Sequence, residues 1–361
     1  PGFLTLISRV QEVWEKTPQT IISDSNQVTK IVKQRLEASY TNKLLEVNQD
    51  WIDDAVGDLF KQFDKENGGF GFTDGNPNRP KFPEPSNLVL LLEVLRINKE
   101  ENVAKEMLLT SLDRMAMGGI RDHFGGGFHR YSVDRFWRIP HFEKMLYDNA
   151  QLVSVYASAY QLFPQDEYRL VIDELLTFVS AELTSPEGGF YSALDAESED
   201  EEGKYYRWTR AEIEEIVGDE ADFDLFKNVY QIDRAPNFEE KFYAPQFSLP
   251  AASLAENRGM SVVEMNDKLK PLRMKLFKVR SSRARPLLDT KILSSWNGLM
   301  IKGFADAGRV LDNKEYIETA SKAALFVLEH LQRDGRLLRT YGGGQAKLNA
   351  YLDDYAFLID G

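Results

Sequence analysis

Apolar residues along this chain recur in pairs of helix-length blocks separated by glycine turns. In Tyr168 to Leu183, the residues Tyr168, Val171, Ile172, Leu175, Phe178 and Val179 form one stripe, with Arg169, Asp173, Glu174 and Thr177 opposite. That is the pattern of a helix with one face in water. In Phe142 to Phe163, Phe142, Met145, Leu146, Leu152, Val153, Tyr156 and Tyr160 make one face while Val155, Ala159 and Leu162 occupy the other, so this helix is covered on both sides. Leu293 to Leu311 reads likewise, with Gly298, Gly303, Ala305, Ala307 and Gly308 permitting close helix approach. The blocks Leu88 to Ile97, Val103 to Met117 and Tyr316 to Leu331 complete three pairs.

Gly-Gly-Phe recurs at Gly68-Gly69-Phe70, Gly126-Gly127-Phe128 and Gly188-Gly189-Phe190, with a degenerate version at Tyr341-Gly342-Gly343-Gly344. A unit of two helices and a turn cannot close its own core, so neighbouring units must stack. Alternating buried and half-exposed helices then predict an all-α fold, an α/α toroid with an inner ring inside an outer one. Phe190 to Leu194 and Tyr205 to Trp208 are expected as short strands around an acidic loop, a β-hairpin insertion. Gln231 to Pro250 has no period and is expected as a long loop that covers the cleft. Residues 1–48 read as an N-terminal helical segment and 49–361 as the toroid, with both ends looking like cuts and the ring therefore incomplete.

Bulk numbers narrow the function. The 361 residues carry a net charge of −13 and contain no cysteine. Without a clustered Lys/Arg face no nucleic-acid partner is expected, and without thiols neither disulfides nor Cys-ligated zinc. Lys268 to Arg285 is basic but interleaved with apolar residues, and is expected as a solvated helix face. No apolar run reaches membrane-span length and no signal peptide opens the chain, so a cytoplasmic location is expected.

The densest chemistry lies at 118–149. Three of the four histidines, His123, His129 and His141, fall here among five glycines. Histidine titrates nearest neutral pH and is the common proton carrier. Pro140 reads as a helix start with Glu143 in its first turn, which would put His141, Lys144 and Asp148 near one helical line. The same residues also suit a structural role, a hydrogen-bonded histidine beside turn-shaping glycines. No His-Glu-x-x-His spacing is present, and neither metal nor cofactor is expected.

His129-Arg130-Tyr131-Ser132-Val133-Asp134 followed by Pro140-His141-Phe142-Glu143-Lys144-Met145-Leu146-Tyr147-Asp148-Asn149 resembles the hallmark of the spermatogenesis-associated protein 20 family of thioredoxin-domain-containing proteins. Pro80-Lys81-Phe82-Pro83, Gly188 to Ala193 with Asp195, Ser295 to Met300 and Leu352 to Ala356 extend the resemblance over nearly the whole chain. It implies a thioredoxin-like domain ahead of this segment as a partner. The family's helical region is similar to six-hairpin glycosidases and to N-acylglucosamine and cellobiose 2-epimerases, which implies an (α/α)6-like toroid with a sugar-sized cleft. The epimerases use paired histidines on inner helices. Here Trp296 and Asn297 stand where the second would be sought, and His330 falls on an outer helix.

The expectation is a carbohydrate-active domain, sugar epimerase- or isomerase-like or hydrolase-like, acting on a small sugar or sugar derivative. His129, His141, Asp148, Asp195 and Asp354 are the candidate acid–base residues. Arg130, Trp137, Lys144, Asn149, Trp296, Asn297 and Tyr355 are the candidate substrate contacts, with the tryptophans as ring platforms. The alternative is a non-catalytic scaffold or binding domain serving the thioredoxin-like domain. It predicts that His129, His141 and Asp148 are buried, mutually satisfied and away from a cleft.

Overall fold

The computed structural model describes residues 3–38, 48–71 and 79–361. The chain divides into two compact units, 1–53 and 54–361. The described residues form fourteen helices and only short strands. In the first unit α1 (Phe3–Lys16) and α2 (Pro18–Ala38) pack on each other, and α3 (Gln49–Gln62) runs across the division.

The larger unit is built of helical hairpins. They are α4 (Pro85–Ile97) with α5 (Asn102–Met117), and α6 (Leu146–Leu162) with α7 (Asp166–Glu182). After an insertion carrying α8 (Arg210–Val217), α9 (Glu220–Val229), α10 (Ala251–Glu256) and α11 (Val262–Arg280) comes α12 (Ser294–Leu311) with α13 (Lys314–His330). Helix α14 (Leu352–Asp360) follows. Helices α4, α6, α12 and α14 succeed one another as an inner layer, and α5, α7 and α13 back them as an outer layer. This is the two-layered helical-hairpin architecture of an α/α toroid. The main core, including Leu91, Leu108, Val153, Leu176 and Phe304, lies between the layers.

The local signals explain the boundaries. Pro85 occupies the first turn of α4, where its missing N–H costs nothing. The Glu101 carboxylate accepts from the first amides of α5, and Ser261 with Glu264 forms a reciprocal capping box on α11. Each Gly-Gly-Phe turn packs against the next outer helix. At Gly126, φ is +78° and a Cβ would sit 2.2 Å from the Glu174 carbonyl oxygen on α7, so only glycine fits. Between inner helices a Cβ at Gly298 would lie 2.4 Å from the Phe357 carbonyl of α14, which confirms the close approach read from the glycines.

Several expectations are corrected. Helix α6 starts at Leu146, not at Pro140. Pro140–His141 pairs instead with Tyr131–Ser132, and Lys144–Met145 pairs with Ala193–Leu194, so strand partners hold the backbone that a helix would need. The Tyr341 to Gly344 segment closes a hairpin between Arg336–Gly342 and Gln345–Asn349 rather than a fourth Gly-Gly-Phe turn. The acidic run itself forms a two-stranded turn, Glu197–Ser198 on Glu201–Glu202. Gln231 to Pro250 is irregular, but it drives Ile232, Tyr243 and Phe247 into a second core with Trp208, Phe226 and Leu272. The basic segment is only partly a solvated face, because Arg273 and Arg280 are buried.

Candidate functional site

The 118–149 segment separates into a buried half and an accessible half. In the buried half, Lys144 Nζ donates to Asp122 Oδ2 at 2.7 Å and to the Gly126 carbonyl at 2.7 Å, while Arg280 donates to Asp122 Oδ1 at 2.9 Å. Burial lowers the Lys144 ammonium to about 8 against the opposing pull of Asp122, and the two cations hold Asp122 well below the usual carboxylate range despite its burial. The previous repeat has the same device: Lys81 Nζ lies 3.1 Å and Arg135 Nε 3.1 Å from Asp64 Oδ2. In each case the aspartate stands four residues before the Gly-Gly pair, a periodic signal that the sequence reading did not use.

The inner helices grip these turns through asparagines. Asn149 Oδ1 accepts from the Phe128 amide at 2.7 Å, and its Nδ2 donates to the Phe128 carbonyl at 3.0 Å. Asn297 does the same to Phe190, at 2.8 and 3.0 Å. Both are fully buried. His129 is buried too, with Nδ1 2.9 Å from the Phe142 carbonyl. Its ring packs edge-on to Tyr206. Burial, helped by Lys144, lowers its pKa to about 3, so it stays neutral.

Other candidates are engaged inside the protein. Trp137 has no exposed surface, and its Nε1 donates to the Asn67 carbonyl at 2.8 Å. Asp354, also buried, accepts from Arg339 at 2.8 Å, the Tyr351 amide at 2.9 Å and the Ser295 amide at 3.1 Å. Tyr355 Oη accepts from the Leu337 amide. Asp195 is exposed and caps its own loop through the Ala196 amide at 2.7 Å. As placed, Lys144, Asn149, Asn297, Trp137 and Asp354 have no surface to offer a substrate, because each is already bonded within the core.

The accessible half is a compact cluster at the N-terminal ends of α6 and α12. Pairing of Tyr131 with His141 stacks their rings at 4.8 Å. Arg130 donates to Glu143 at 2.9 Å and to Tyr147 Oη at 3.2 Å. His141 Nδ1 lies 2.7 Å from Glu202 and its Nε2 3.7 Å from Glu143. Tyr147, in the first turn of α6, meets Trp296 of α12 with ring centroids 4.8 Å apart. Below the tyrosine, the Asp148 carboxyl is buried and its Oδ2 has no hydrogen-bond partner. Burial raises it to about 7; Arg130 pulls it down and Glu143 pushes it up. Thus Arg130, His141, Asp148 and Trp296 come together, joined by Tyr131, Glu143, Tyr147 and Glu202, which were not among the candidates. Alternation of exposed residues in the strand pairs would have shown Glu143 beside His141, but Glu202 arrives from a sequence-distant hairpin.

The inner face continues below this cluster. Half-exposed Tyr147, Gln151, Ser154 and Ser158 follow one line along α6, and Arg96 of α4 donates to Ser158 at 3.1 Å. On α12, Trp296, Leu299, Lys302 and Asp306 follow the corresponding line, with Lys302 3.8 Å from Asp306.

These features define a helical-hairpin α/α protein with an aromatic and ionisable cluster at the ends of its inner helices. Over its whole length the chain is homologous to part of spermatogenesis-associated protein 20, which bears out the resemblance carried by its motifs. The human protein is 34% identical over 399 residues and the rat protein 34% over 397, each covering 100% of this chain and 50% of the relative. The chain thus spans about half the length of the curated relatives it matches. No family model matches it. Among solved structures it is similar to a sugar epimerase from a ruminal bacterium, at 14% identity over 86% of this chain and 97% of the other, TM-score 0.35. It is also similar to cellobiose 2-epimerase from Bacillus thermoamylovorans, at 12% over 87% and 99%, TM-score 0.35. A family 105 glycoside hydrolase of C. acetobutylicum matches at 12% over 86% and 82%, TM-score 0.32. Among the described residues no helix is long and apolar enough to cross a membrane.

Proposed function

We propose that the cluster around Asp148 binds a small sugar and performs acid–base chemistry on it. The observation that carries this reading is the Asp148 carboxyl, buried, raised to about 7 and left with one oxygen free. A carboxyl that holds its proton near neutral pH is suited to donate and recover one. Glu143 near it, and His141 next to Glu143, are the second acid–base partners. Arg130 orients Glu143 and Tyr147, and the Tyr147–Trp296 pair supplies an apolar ring face for the C–H side of a sugar. Half-exposed Gln151 and Ser158 on α6 and the Lys302–Asp306 pair on α12 supply hydroxyl partners.

Incubating the chain with aldoses, ketoses and disaccharides in deuterated water, followed by NMR, tests this. Deuterium entering beside a carbonyl marks isomerisation or epimerisation, and release of a reducing end marks hydrolysis; Asp148→Asn removes either. Absence of both reactions across the panel contradicts the proposal.

A second reading is that of a binding domain serving an attached thioredoxin-like domain. Helix α1 favours it: none of its residues is buried, and Phe3, Ile7, Val10 and Trp14 line up exposed along one side. A thioredoxin-like domain supplied in trans that binds the chain, and loses binding with Trp14→Glu, supports this reading; no association contradicts it.

A further inference from the structure

A polar groove of about 450 Å³ lies between the loop 134–139 and the irregular segment 230–246, formed by residues the sugar reading does not use. Both walls are held from within. On one side Asn237 bonds both backbone groups of Ala244, at 2.8 and 2.9 Å. Tyr243 Oη donates to the Arg234 carbonyl at 2.6 Å, and Gln231 Nε2 to the Phe247 carbonyl at 2.7 Å. On the other side Asp134 closes the loop, its carboxylate accepting from the amides of Phe136 at 2.6 Å, Ile139 at 2.9 Å and Arg138 at 3.2 Å. A groove fixed in this way loses little order when a ligand enters.

Gln246 lines this groove and is only 6% exposed. Its side-chain amide makes no hydrogen bond among the described residues, yet neither amide atom is sealed inside the protein. The small surface that Gln246 keeps therefore includes a donor and an acceptor without partners, where a nearly buried amide normally has both. Two guanidiniums share the lining. Arg138 lies over the Phe136 ring at 4.6 Å, and Arg234 donates to Gln231 at 3.1 Å; neither pairs with a carboxylate among the described residues. The one lining carboxylate, Asp134, is turned into its own loop. Just outside, Arg210 and Asp233 act on Tyr243 with opposite signs. In a chain of net charge −13, this lining carries two cations against one anion. We infer that the groove binds a small organic anion, its carboxylate or phosphate group paired with Arg138 and Arg234 and a hydroxyl or carbonyl bonded to the Gln246 amide. Guanidinium forks suit either oxyanion, and the volume is that of small-ligand sites. The inference does not depend on the sugar reading, since the two sites use different residues.

Glycerol 3-phosphate and malate each offer an oxyanion and a hydroxyl, and glycerol offers the hydroxyls alone. In calorimetric titrations of the full chain at low ionic strength, at least one of the two anions is expected to bind saturably at one site, with Kd on the order of 1 mM or tighter. The tighter of the two identifies the head group. Glycerol is expected to bind at least about tenfold more weakly. Arg234→Gln removes an exposed charge whose side chain bonds Gln231 alone. Gln246→Met keeps the volume and removes an amide that bonds nothing, so its thermal unfolding is expected to match the parent. Each variant is expected to weaken the anion by about tenfold or more, and binding to the parent is expected to shift the Gln246 side-chain amide resonances. The inference is overturned if neither anion binds saturably, if glycerol binds as well, if either variant keeps the parent's affinity, or if the Gln246 resonances stay in place.

Discussion

Tyr147 of α6 and Trp296 of α12 meet ring to ring at 4.8 Å, at the point where two inner helices begin. Trp296 is half-buried, so its free surface is available without rearrangement. Trp296→Ala is expected to weaken sugar binding by about tenfold to a hundredfold, in line with roughly 1.5–3 kcal/mol for a large side chain's contact area. Tyr147→Phe keeps the ring but loses the 3.2 Å bond to Arg130, and is expected to change turnover more than affinity. Calorimetry and initial rates separate the two effects.

Asp148 makes stability depend on pH. Its folded pKa, about 7, lies above the ordinary aspartate value of 3.8, so the folded chain holds a proton that the unfolded chain releases. Between those values rising pH removes stability, and the full cost of ionisation is present above about 7. At about 1.4 kcal/mol per unit, and with allowance for the partial exposure of the site, Asp148→Asn is expected to be more stable than the parent by roughly 2–4 kcal/mol at pH 8. The difference should shrink as pH falls and be nearly gone by about pH 3, where the aspartate is mostly neutral in both states. Denaturant unfolding at the two pH values checks this, and an equal effect at both would be inconsistent with it.

Asn149 and Asn297 do one job twice, each bonding both backbone groups of the phenylalanine in a Gly-Gly-Phe turn. Replacing either by alanine strands a buried amide and a buried carbonyl. A loss of roughly 2–4 kcal/mol is expected for each, read as a lowered unfolding midpoint, with sugar affinity of the folded fraction unchanged.

Lys144 is expected to act through structure alone. Lys144→Met leaves Asp122 buried with Arg280 as its only strong cation, and breaking a buried pair costs about 3–5 kcal/mol. Thermal unfolding should show that loss, while the sugar-binding constant of the folded chain holds. A drop in affinity without a drop in stability would return Lys144 to the site.

Helix pairs could be read from the chain because each helix repeats its burial pattern over many turns. The periodicity places Tyr168 to Leu183 within a residue or two of α7, and the small residues of Leu293 to Leu311 mark a close helix approach, which Gly298 makes with α14. Boundaries near the site failed for a physical reason. Residues 140–145 have helix-compatible side chains, but their backbone bonds go to Tyr131–Ser132 and Ala193–Leu194, partners that local pattern does not reveal. The same limit applied to side-chain roles. His129, Lys144 and Asp148 are all polar residues in one short segment, yet the first two face the Asp122–Arg280 cluster and the third sits under Tyr147. Burial decided their chemistry, and burial depends on Arg280 and Tyr206, which come from the distant insertion.

The central claim is that the inner-helix cluster is a sugar site. Calorimetric titration of the chain with a panel of mono- and disaccharides, run alongside Trp296→Ala, tests it most directly. Saturable binding of at least one sugar, weakened in the variant and accompanied by a shift in the Asp148 carboxyl resonance, is the expected result. If no sugar binds at millimolar concentration, or if binding leaves Asp148 and Trp296 unaffected, the account is contradicted.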